Sequence, residues 1–343
     1  MSRLGYSLVL PTMTGPNRFP FSPFPTGWYC VAFSHELAAG EVRPITVFGR
    51  EAVLFRAASG KPALLDAFCP HMGAHLGHGG KVEGESLRCP MHAFRFDAAG
   101  ECVATGYGTR PPPRCKSEAF PVVERCGGVF AWSGRGAPSF EIPPHDLDAF
   151  SPLRTKTWTG LRSHPQETTE NSVDLGHLSV VHGYEDVGVI DPLHTEGPYL
   201  TTRYRMTRRP LVRGTPAVDA RFHIHAWGLG YSFVEVDVPS HGMQTRQYVF
   251  ATPTDGDTIT LRIAMSFRFV SALRRVPARL LDRLLGPAMI RNYENDVSQD
   301  FDIWANKRYV HPPALAEGDG PVGKYRRWAR QFYPDLAIAD AAE

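Results

Sequence analysis

The sequence has no long apolar run and no charge imbalance, and each absence excludes a class of protein. No stretch approaches the roughly 18 consecutive apolar residues that a membrane helix needs, so no membrane span is expected. The apolar piece at residues 6–10 is too short for the core of a secretion signal, which favours a cytoplasmic protein. Lysine and arginine number 37 against 35 aspartates and glutamates, which gives no reason to expect nucleic acid as a partner.

Cysteine is also scarce, since the 343 residues contain only six. In a cytoplasmic protein this number favours metal ligands or buried thiols over disulfides. Cys30, Cys102, Cys115 and Cys126 have no ligand-like spacing and are interpreted as structural. The other two cysteines lie beside histidines.

The chain is long and apolar enough for two cores, and its patterns divide it into two domains. Short apolar pieces broken by Gly and Pro predict an all-β domain over 25–135. The Pro-rich segment 134–152 marks the boundary, and a catalytic domain is predicted over 153–335. There, residues 259–269 alternate as a strand with one buried and one solvated face. Helices are predicted around 167–182 and over 277–307.

The strongest motif is "CPHMGAHLGHGG" together with "CPMH", and seventeen residues (72–88) separate His71 of the first from Cys89 of the second. Each loop offers one cysteine and one histidine: Cys69 with His71, and Cys89 with His92. Zinc accepts such ligands, but zinc sites usually pair like with like in one loop. A Rieske [2Fe–2S] cluster has two thiolates on one iron and two neutral imidazoles on the other, which favours the Rieske assignment. This ligation raises the potential to about −150 to +300 mV, as an electron relay requires.

A second motif, "ENSVDLGHLSVVHG", supplies His177 and His182. With a carboxylate they would form the two-histidine, one-carboxylate site of non-haem Fe(II), which leaves positions open for O₂. Positions five apart differ by about 140° on an ideal helix, so the helix must unwind or end near His182, and Gly183 permits this. Asp174, one turn before His177, is predicted to accept a hydrogen bond from its imidazole through the carboxylate.

Three aspartates in the last long helix compete for the third ligand position. Relative to Val297 at the centre of the apolar stripe, Asp300 lies about 60° away, Asp296 about 100° and Asp302 about 140°. Asp300 is therefore favoured, Asp296 remains a weaker competitor, and Asp302 is interpreted as a surface charge. Five aromatic residues are candidates for the wall of a substrate pocket or for the core of the sheet: Phe222, Trp227, Phe233, Tyr248 and Phe250.

With these residues the chain resembles the oxygenase component of Rieske non-haem iron oxygenases over nearly its whole length. "QDFDIWANKRYV" and "GPVGKYRRWARQFYPD" look more narrowly like the branch containing 3-ketosteroid 9α-hydroxylase and cholesterol 7-desaturase. The resemblance implies an α+β protein with an amino-terminal Rieske domain and a helix-grip (START-like) catalytic domain built on an antiparallel sheet. It also implies that Asp300 is the carboxylate ligand and that Asn171 lies near the iron. One departure is "HAFRFD", where relatives usually carry "HGWRFD".

The resemblance further implies a homotrimer in which the cluster of one subunit reduces the iron of its neighbour, with Asp174 bridging the two. The predicted function is that of an O₂-dependent monooxygenase that takes electrons from an NAD(P)H-dependent ferredoxin or flavin reductase. Its substrate would be a sterol or steroid, which it would hydroxylate, desaturate or oxidatively demethylate. The alternatives are an O- or N-demethylase acting on an aromatic or quaternary-amine compound, and a Rieske electron-transfer protein without oxygenase activity.

Overall fold

A computed structural model of the protein describes residues 19–208 and 217–333. The apolar piece at residues 6–10 and the predicted end of the second domain at residue 335 lie outside the described residues. In the described part of the chain, none of the helices combines the length and apolar character that crossing a membrane requires.

The amino-terminal half is built from short antiparallel strands, as the alternation of apolar pieces with Gly and Pro predicts. They form three sheets, in the orders β1-β11-β10, β2-β3-β4-β9 and β5-β6-β7-β8. Their bounds are β1 Gly27–Phe33, β2 Val42–Val47, β3 Arg50–Arg56, β4 Pro62–Asp66, β5 Lys81–Glu83, β6 Ser86–Arg88, β7 Arg95–Phe96, β8 Cys102–Ala104, β9 Ala119–Phe120, β10 Val122–Arg125 and β11 Gly128–Ser133.

The carboxy-terminal half contains a seven-stranded antiparallel sheet in the order β12-β18-β17-β16-β15-β14-β13. Residues 134–153, which connect β11 to the first strand of this sheet, contain neither strand nor helix, and the predicted domain boundary lies in this segment. The strands are β12 Arg154–Arg162, β13 Glu185–Glu196, β14 Tyr199–Arg208, β15 Val218–Trp227, β16 Tyr231–Val238, β17 Met243–Pro253 and β18 Thr258–Phe269. The helices are α1 Pro165–Glu170, α2 Leu175–Val180, α3 Ala278–Ser298, α4 Phe301–Asn306 and α5 Val322–Ala329. The predicted class, a Rieske-type β domain followed by an antiparallel-sheet catalytic domain, is confirmed.

The prediction that β18 has one solvated face is wrong, because both faces of this strand are covered. Its apolar face packs against α3, while Ala264 and Ser266 on the other face are also buried. The amino-terminal half covers that second face. Arg262 donates from Nη1 to the carbonyl oxygen of Cys30 and from Nη2 to that of Val31, both at 2.8 Å. One face of the seven-stranded sheet is therefore buried against the amino-terminal half.

Both predicted helices near the site are interrupted, each at a tightened turn. The helix expected over 277–307 is two helices, because the backbone N–H groups of Gln299 and Asp300 bond three residues back, at 3.3 Å each. The helix expected over 167–182 also divides, where Ser172 and Val173 bond three residues back at 3.1 and 3.0 Å. Such 3₁₀-type turns end an α-helix locally and redirect the side chains that follow. Both breaks lie beside candidate iron ligands.

Candidate metal centres

The two cysteine-histidine loops face each other at one end of the amino-terminal half. Cys69 and Cys89 are buried, at 2% and 1% exposure, whereas His71 and His92 are only partly buried. The two imidazole rings meet edge to face with centroids 4.9 Å apart. Each loop is closed by its own backbone: the N–H of Cys69 bonds to Ala74 O at 2.9 Å, and Gly73 bonds back to Cys69 O at 2.8 Å. The thiols therefore lie on the inner side and the imidazoles on the outer side.

This arrangement fits a cluster that needs thiolates on one metal and imidazoles on the other. Burial is the main reason that the pKa of Cys69 is raised to about 11; the backbone N–H of His71 lowers it and the adjacent Cys89 raises it. A buried thiol with a raised pKa such as that of Cys69 is expected to become a thiolate when a bound cation stabilises it.

The other residues of these loops have packing roles. His75 accepts a hydrogen bond at Nδ1 from the Gly77 N–H at 3.0 Å. Phe94, which stands where relatives usually carry tryptophan, stacks on His71 with ring centroids 4.2 Å apart and planes 10° apart. Ala93 has φ 57°, a left-handed conformation that suits the glycine usual at this position better than alanine.

The structure brings His177, His182 and Asp300 together in the carboxy-terminal half. The two Nε2 atoms are 3.2 Å apart, and His182 Nε2 lies 3.5 Å from Asp300 Oδ2. One ligand atom from each residue lies within 4.8 Å of the other two. His182 follows the end of α2 rather than continuing it, and Gly183 has φ 68°. Ending the helix thus brings together side chains that a continuous helix would separate.

Hydrogen bonds from outside the trio determine which nitrogen of each imidazole is bare. His177 Nδ1 lies 2.6 Å from the backbone carbonyl oxygen of Asp174, and His182 Nδ1 lies 2.9 Å from Gln299 Oε1. Both partners are acceptors, so both Nδ1 atoms carry the proton and both Nε2 atoms present lone pairs. Two lone pairs and a buried carboxylate directed at one point fit a divalent metal ion, and this geometry is that of a two-histidine, one-carboxylate iron site.

The predicted hydrogen bond from His177 to the Asp174 carboxylate is wrong, because the backbone of Asp174 takes that place. The carboxylate Oδ1 is 3.9 Å from His177 Nδ1 and instead accepts the backbone N–H of His177 at 3.2 Å, as the N-cap of α2. A cap directed at the helix end cannot also reach the ring. The Asp174 side chain stays 36% exposed.

The electrostatics of the two imidazoles differ. Burial lowers the pKa of His177 below its ordinary value. Burial also lowers the pKa of His182, but hydrogen bonding and charge interaction with Asp300 outweigh burial, so its net pKa is raised. His182 and Asp300 have side chains only 9% exposed, which places the carboxylate in an environment where a cation is strongly favoured.

The two competing aspartates have other positions. Asp296 receives a bidentate ion pair from Arg208, with Nη2 to Oδ1 at 2.6 Å, so its charge is already neutralised. Asp302 is exposed in the first turn of α4. Gln299 was missed by sequence reasoning, because an amide between two helical turns gives no signal of its own. Its position, directly before the candidate ligand Asp300, is the only hint that the sequence contains.

The three side chains line a cavity of about 170 Å³ whose opposite wall is largely apolar. Asn171 lies on this cavity, as do Met206, Ile224, Val234 and Val249. Of the five aromatic residues proposed for the wall, only Phe222 lines it. The other four pack between the sheet and the amino-terminal half: Trp227, Phe233, Tyr248 and Phe250. Strand alternation predicts that these four side chains share one face of the sheet, but it does not predict that this face packs against the other domain.

Comparison with known proteins agrees with this architecture. Residues 131–333 match the family described as 3-ketosteroid 9α-hydroxylase C-terminal domain, and residues 27–113 match the Rieske [2Fe–2S] domain. A 3-ketosteroid-9-alpha-monooxygenase oxygenase component of Rhodococcus rhodochrous is 27% identical over 94% of this chain and 86% of that protein. The cholesterol 7-desaturase of Caenorhabditis elegans is 28% identical over 91% of this chain and 77% of that protein.

Solved structures share the fold. Dicamba monooxygenase bound to 3,6-dichlorosalicylic acid superposes with a TM-score of 0.73 at 21% identity, over 92% of this chain and 99% of that one. NdmA of Pseudomonas putida CBB5 with caffeine gives a TM-score of 0.69 at 17% identity, over 88% and 89% of the two chains. Since one family covers residues 131–333 and the Rieske domain precedes it, the chain belongs to the Rieske-type oxygenases with a 3-ketosteroid 9α-hydroxylase C-terminal domain, enzymes that use a [2Fe–2S] cluster, a mononuclear iron and O₂.

Proposed function

We propose that this oxygenase oxidises a sterol or steroid with O₂ and two electrons from a separate NAD(P)H-dependent reductase. In the hydroxylation form of the reaction, one oxygen atom enters a C–H bond and the other leaves as water, with two protons consumed. The observation that supports this most strongly is the converging His177, His182 and Asp300 trio on a cavity with an apolar wall. The relatives named above act on 3-ketosteroids and cholesterol, which gives the substrate class.

We assign the cluster to Cys69, His71, Cys89 and His92, and the mononuclear iron to His177, His182 and Asp300. When bound, the cluster supplies single electrons and the iron supplies a site for O₂. The chain's own contribution is positioning: Asp174 through its backbone, and Gln299 through its amide, fix the tautomers of the two histidines. Asn171 lies on the same cavity and is proposed to contact the reacting region.

The cavity is proposed to hold the reacting part of the substrate. Its volume of about 170 Å³ is below the ~300–1,000 Å³ typical of pockets that enclose a drug-sized ligand. Only part of a four-ring molecule fits inside it in this conformation, and we propose that the remainder lies in the opening. Apolar side chains such as Ile224 and Val249 remove water from the steroid carbon skeleton, which favours binding.

We further propose a cytoplasmic homotrimer in which the cluster edge of one subunit meets the iron site of the next. Around the partly exposed His71 and His92, four large apolar side chains are exposed, which suits a docking edge: Phe68 at 46%, Met72 at 66%, Met91 at 55% and Tyr107 at 59%. None of the six cysteines, all of which lie in the described part of the chain, forms a disulfide, in keeping with a reducing compartment. The domain limits are proposed as 25–135 and 153–335.

The test is to incubate the purified protein with a reductase, NADH and a mixed panel of sterols and 3-ketosteroids, and to identify products by mass spectrometry. His177→Ala should abolish product while leaving the cluster spectrum intact. The control is His194→Ala, since His194 is exposed on β13 away from the trio. A panel of methoxyarenes and N-methylated compounds runs in parallel.

Each result decides between the functions. Steroid products that require His177 support the proposal. Products from the methylated panel alone would indicate an oxygenase that acts on a smaller substrate than a steroid. Biological activity that persists in His177→Ala would instead indicate an electron carrier.

A further inference from the structure

A second group of two histidines and one carboxylate lies on the opposite face of the seven-stranded sheet. His223 and His225 are two residues apart on β15, so they point to the same side, while Phe222 and Ile224 between them point to the cavity beside His177. Glu235 on β16 is the cross-strand partner of His223. This group is therefore separated from the candidate iron ligands by the sheet.

The three side chains converge on one point. Glu235 Oε2 lies 3.8 Å from His223 Nδ1 and 3.9 Å from His225 Nε2. The two imidazole centroids are 3.8 Å apart, and one ligand atom of each residue lies within 4.8 Å of the other two. None of the three is fully exposed; the side chain of His225 is 12% exposed.

Neighbouring hydroxyl groups allow both converging nitrogens to carry a lone pair. Thr201 donates from Oγ1 to Ile224 O at 2.9 Å, so it accepts from the Nε2–H of His223 at 3.1 Å, and Nδ1 of His223 carries the lone pair. His225 Nδ1 is 2.6 Å from Tyr199 Oη, and when it donates there the lone pair is on Nε2. Nε2 of His225 is buried and has no hydrogen-bond partner among the described residues. Buried polar atoms usually have a partner, so this atom points to an absent ligand.

We propose that His223, His225 and Glu235 form a second metal site that takes a divalent transition-metal ion, with Zn²⁺ as the best match. Two imidazoles and one carboxylate are three protein ligands of an open tetrahedral zinc site. Zinc bonds of about 2.0–2.2 Å place tetrahedral ligand atoms roughly 3.3–3.6 Å apart. The present 3.8 and 3.9 Å separations are slightly wider, so small side-chain rotations close the site.

The charges around the group define what completes the site. Arg203 Nη2 lies 3.4 Å from His223 Nδ1, and Arg246 Nη2 lies 3.5 Å from Glu235 Oε1. Arg203 also pairs with Asp191 at 3.3 Å, and turning fully to that carboxylate frees Nδ1 of His223. Both guanidinium groups lower the affinity for the bare cation and favour an anion as fourth ligand. His223 and Glu235 line a cleft of about 730 Å³, so ion and anion can enter from solvent.

The experiment measures zinc bound per chain in the His177→Ala background, where the candidate iron site is disabled. The cluster-loaded protein is dialysed against Zn²⁺ and then against buffer, and zinc and iron are counted by mass spectrometry. The proposal expects about one zinc per chain, a melting temperature that rises with Zn²⁺, and at least a tenfold weaker affinity after adding either His225→Ala or Glu235→Gln. His241→Ala is the matched control, because His241 is an exposed histidine of the same domain.

Circular dichroism and cluster absorbance establish that each variant is folded. Zinc binding that is equal in the His225→Ala, Glu235→Gln and parent proteins would overturn the proposal, as would a folded parent that retains no zinc. Oxygenase activity is not part of the readout, so failure here leaves the proposed function untouched.

Discussion

Arg326 is predicted to be critical for the stability of the carboxy-terminal half. Its guanidinium makes two hydrogen bonds to the Glu170 carboxylate, at 2.7 and 2.8 Å, and the two side chains are only 11% and 6% exposed. Arg326→Met would leave Glu170 with Lys307, whose Nζ is 3.6 Å away and also pairs with Glu167. A carboxylate would then be buried with too little positive charge around it.

Removing one partner of a buried pair costs about 3–5 kcal/mol. For a domain of this size, each kcal/mol lowers the melting temperature by about 2–4 °C, so a drop of roughly 6–20 °C is expected. The assay is urea and thermal unfolding followed by circular dichroism and tryptophan fluorescence, with cluster absorbance reporting the amino-terminal half separately. Arg327→Met is the control, since Arg327 is exposed on the same helix and should change stability by less than about 0.5 kcal/mol.

The double variant Arg326→Met, Glu170→Gln separates a buried charge from lost packing. Neutralising Glu170 removes the uncompensated carboxylate, so the double variant should be more stable than Arg326→Met alone. Equal unfolding midpoints for Arg326→Met and Arg327→Met would refute the reasoning. A double variant as unstable as the sum of its parts would show that packing, not charge, is what Arg326 supplies.

Three further predictions concern single residues. Burial lowers the pKa of His164 to about 3. As the pH falls, the imidazole is therefore protonated in the unfolded chain before it is protonated in the folded one. His164 is expected to reduce the free energy of unfolding by about 1.4 kcal/mol per pH unit as the pH falls from 6.5 towards 3. His164→Asn, which can still accept the Gln166 N–H, should flatten that slope in unfolding measured from pH 7 to 4; an unchanged slope contradicts this. Gly80→Ala should reduce cluster content, read from visible absorbance, because its Cβ would overlap the Leu76 carbonyl oxygen; full cluster occupancy would count against it. Ala93→Gly should raise the thermal stability of the cluster-loaded domain by about 0.5–1 kcal/mol, because it relieves a left-handed alanine, and a lower melting temperature would disprove it.

Much of the architecture follows from local patterns. Period-two alternation predicts β18, and Gly and Pro spacing predicts the short strands of the Rieske half. The sequence could not predict which sheet face each alternating set would meet. Phe233 and Phe250 share a face, but whether that face lines a cavity or meets another domain depends on contacts between residues more than 200 apart in sequence, such as Thr252 on β17 with Cys30.

The candidate iron site shows a different limit. Helical geometry favoured Asp300 over Asp296 on the assumption of one continuous helix, yet the structure brings Asp300 to His182 by ending α3 at Ser298. The preceding motif behaves in the same way, since α2 ends at Val180 and His182 lies beyond it. Helical periodicity predicts side-chain directions inside a helix, whereas His182 and Asp300 lie just beyond the ends of α2 and α3.

That placement has a physical reason. Inside a helix the side-chain directions are fixed in steps of about 100°, so ligands that must meet within a few ångströms are compatible with only a few spacings. Where α2 ends the backbone direction changes, and residues five apart such as His177 and His182 can face each other. The separate tightened turn at the end of α3 brings Gln299 to His182 Nδ1, so that break supplies both the carboxylate Asp300 and the group that orients the imidazole. Ligands of such a centre are therefore compatible with more spacings at the ends of helices than inside a continuous helix.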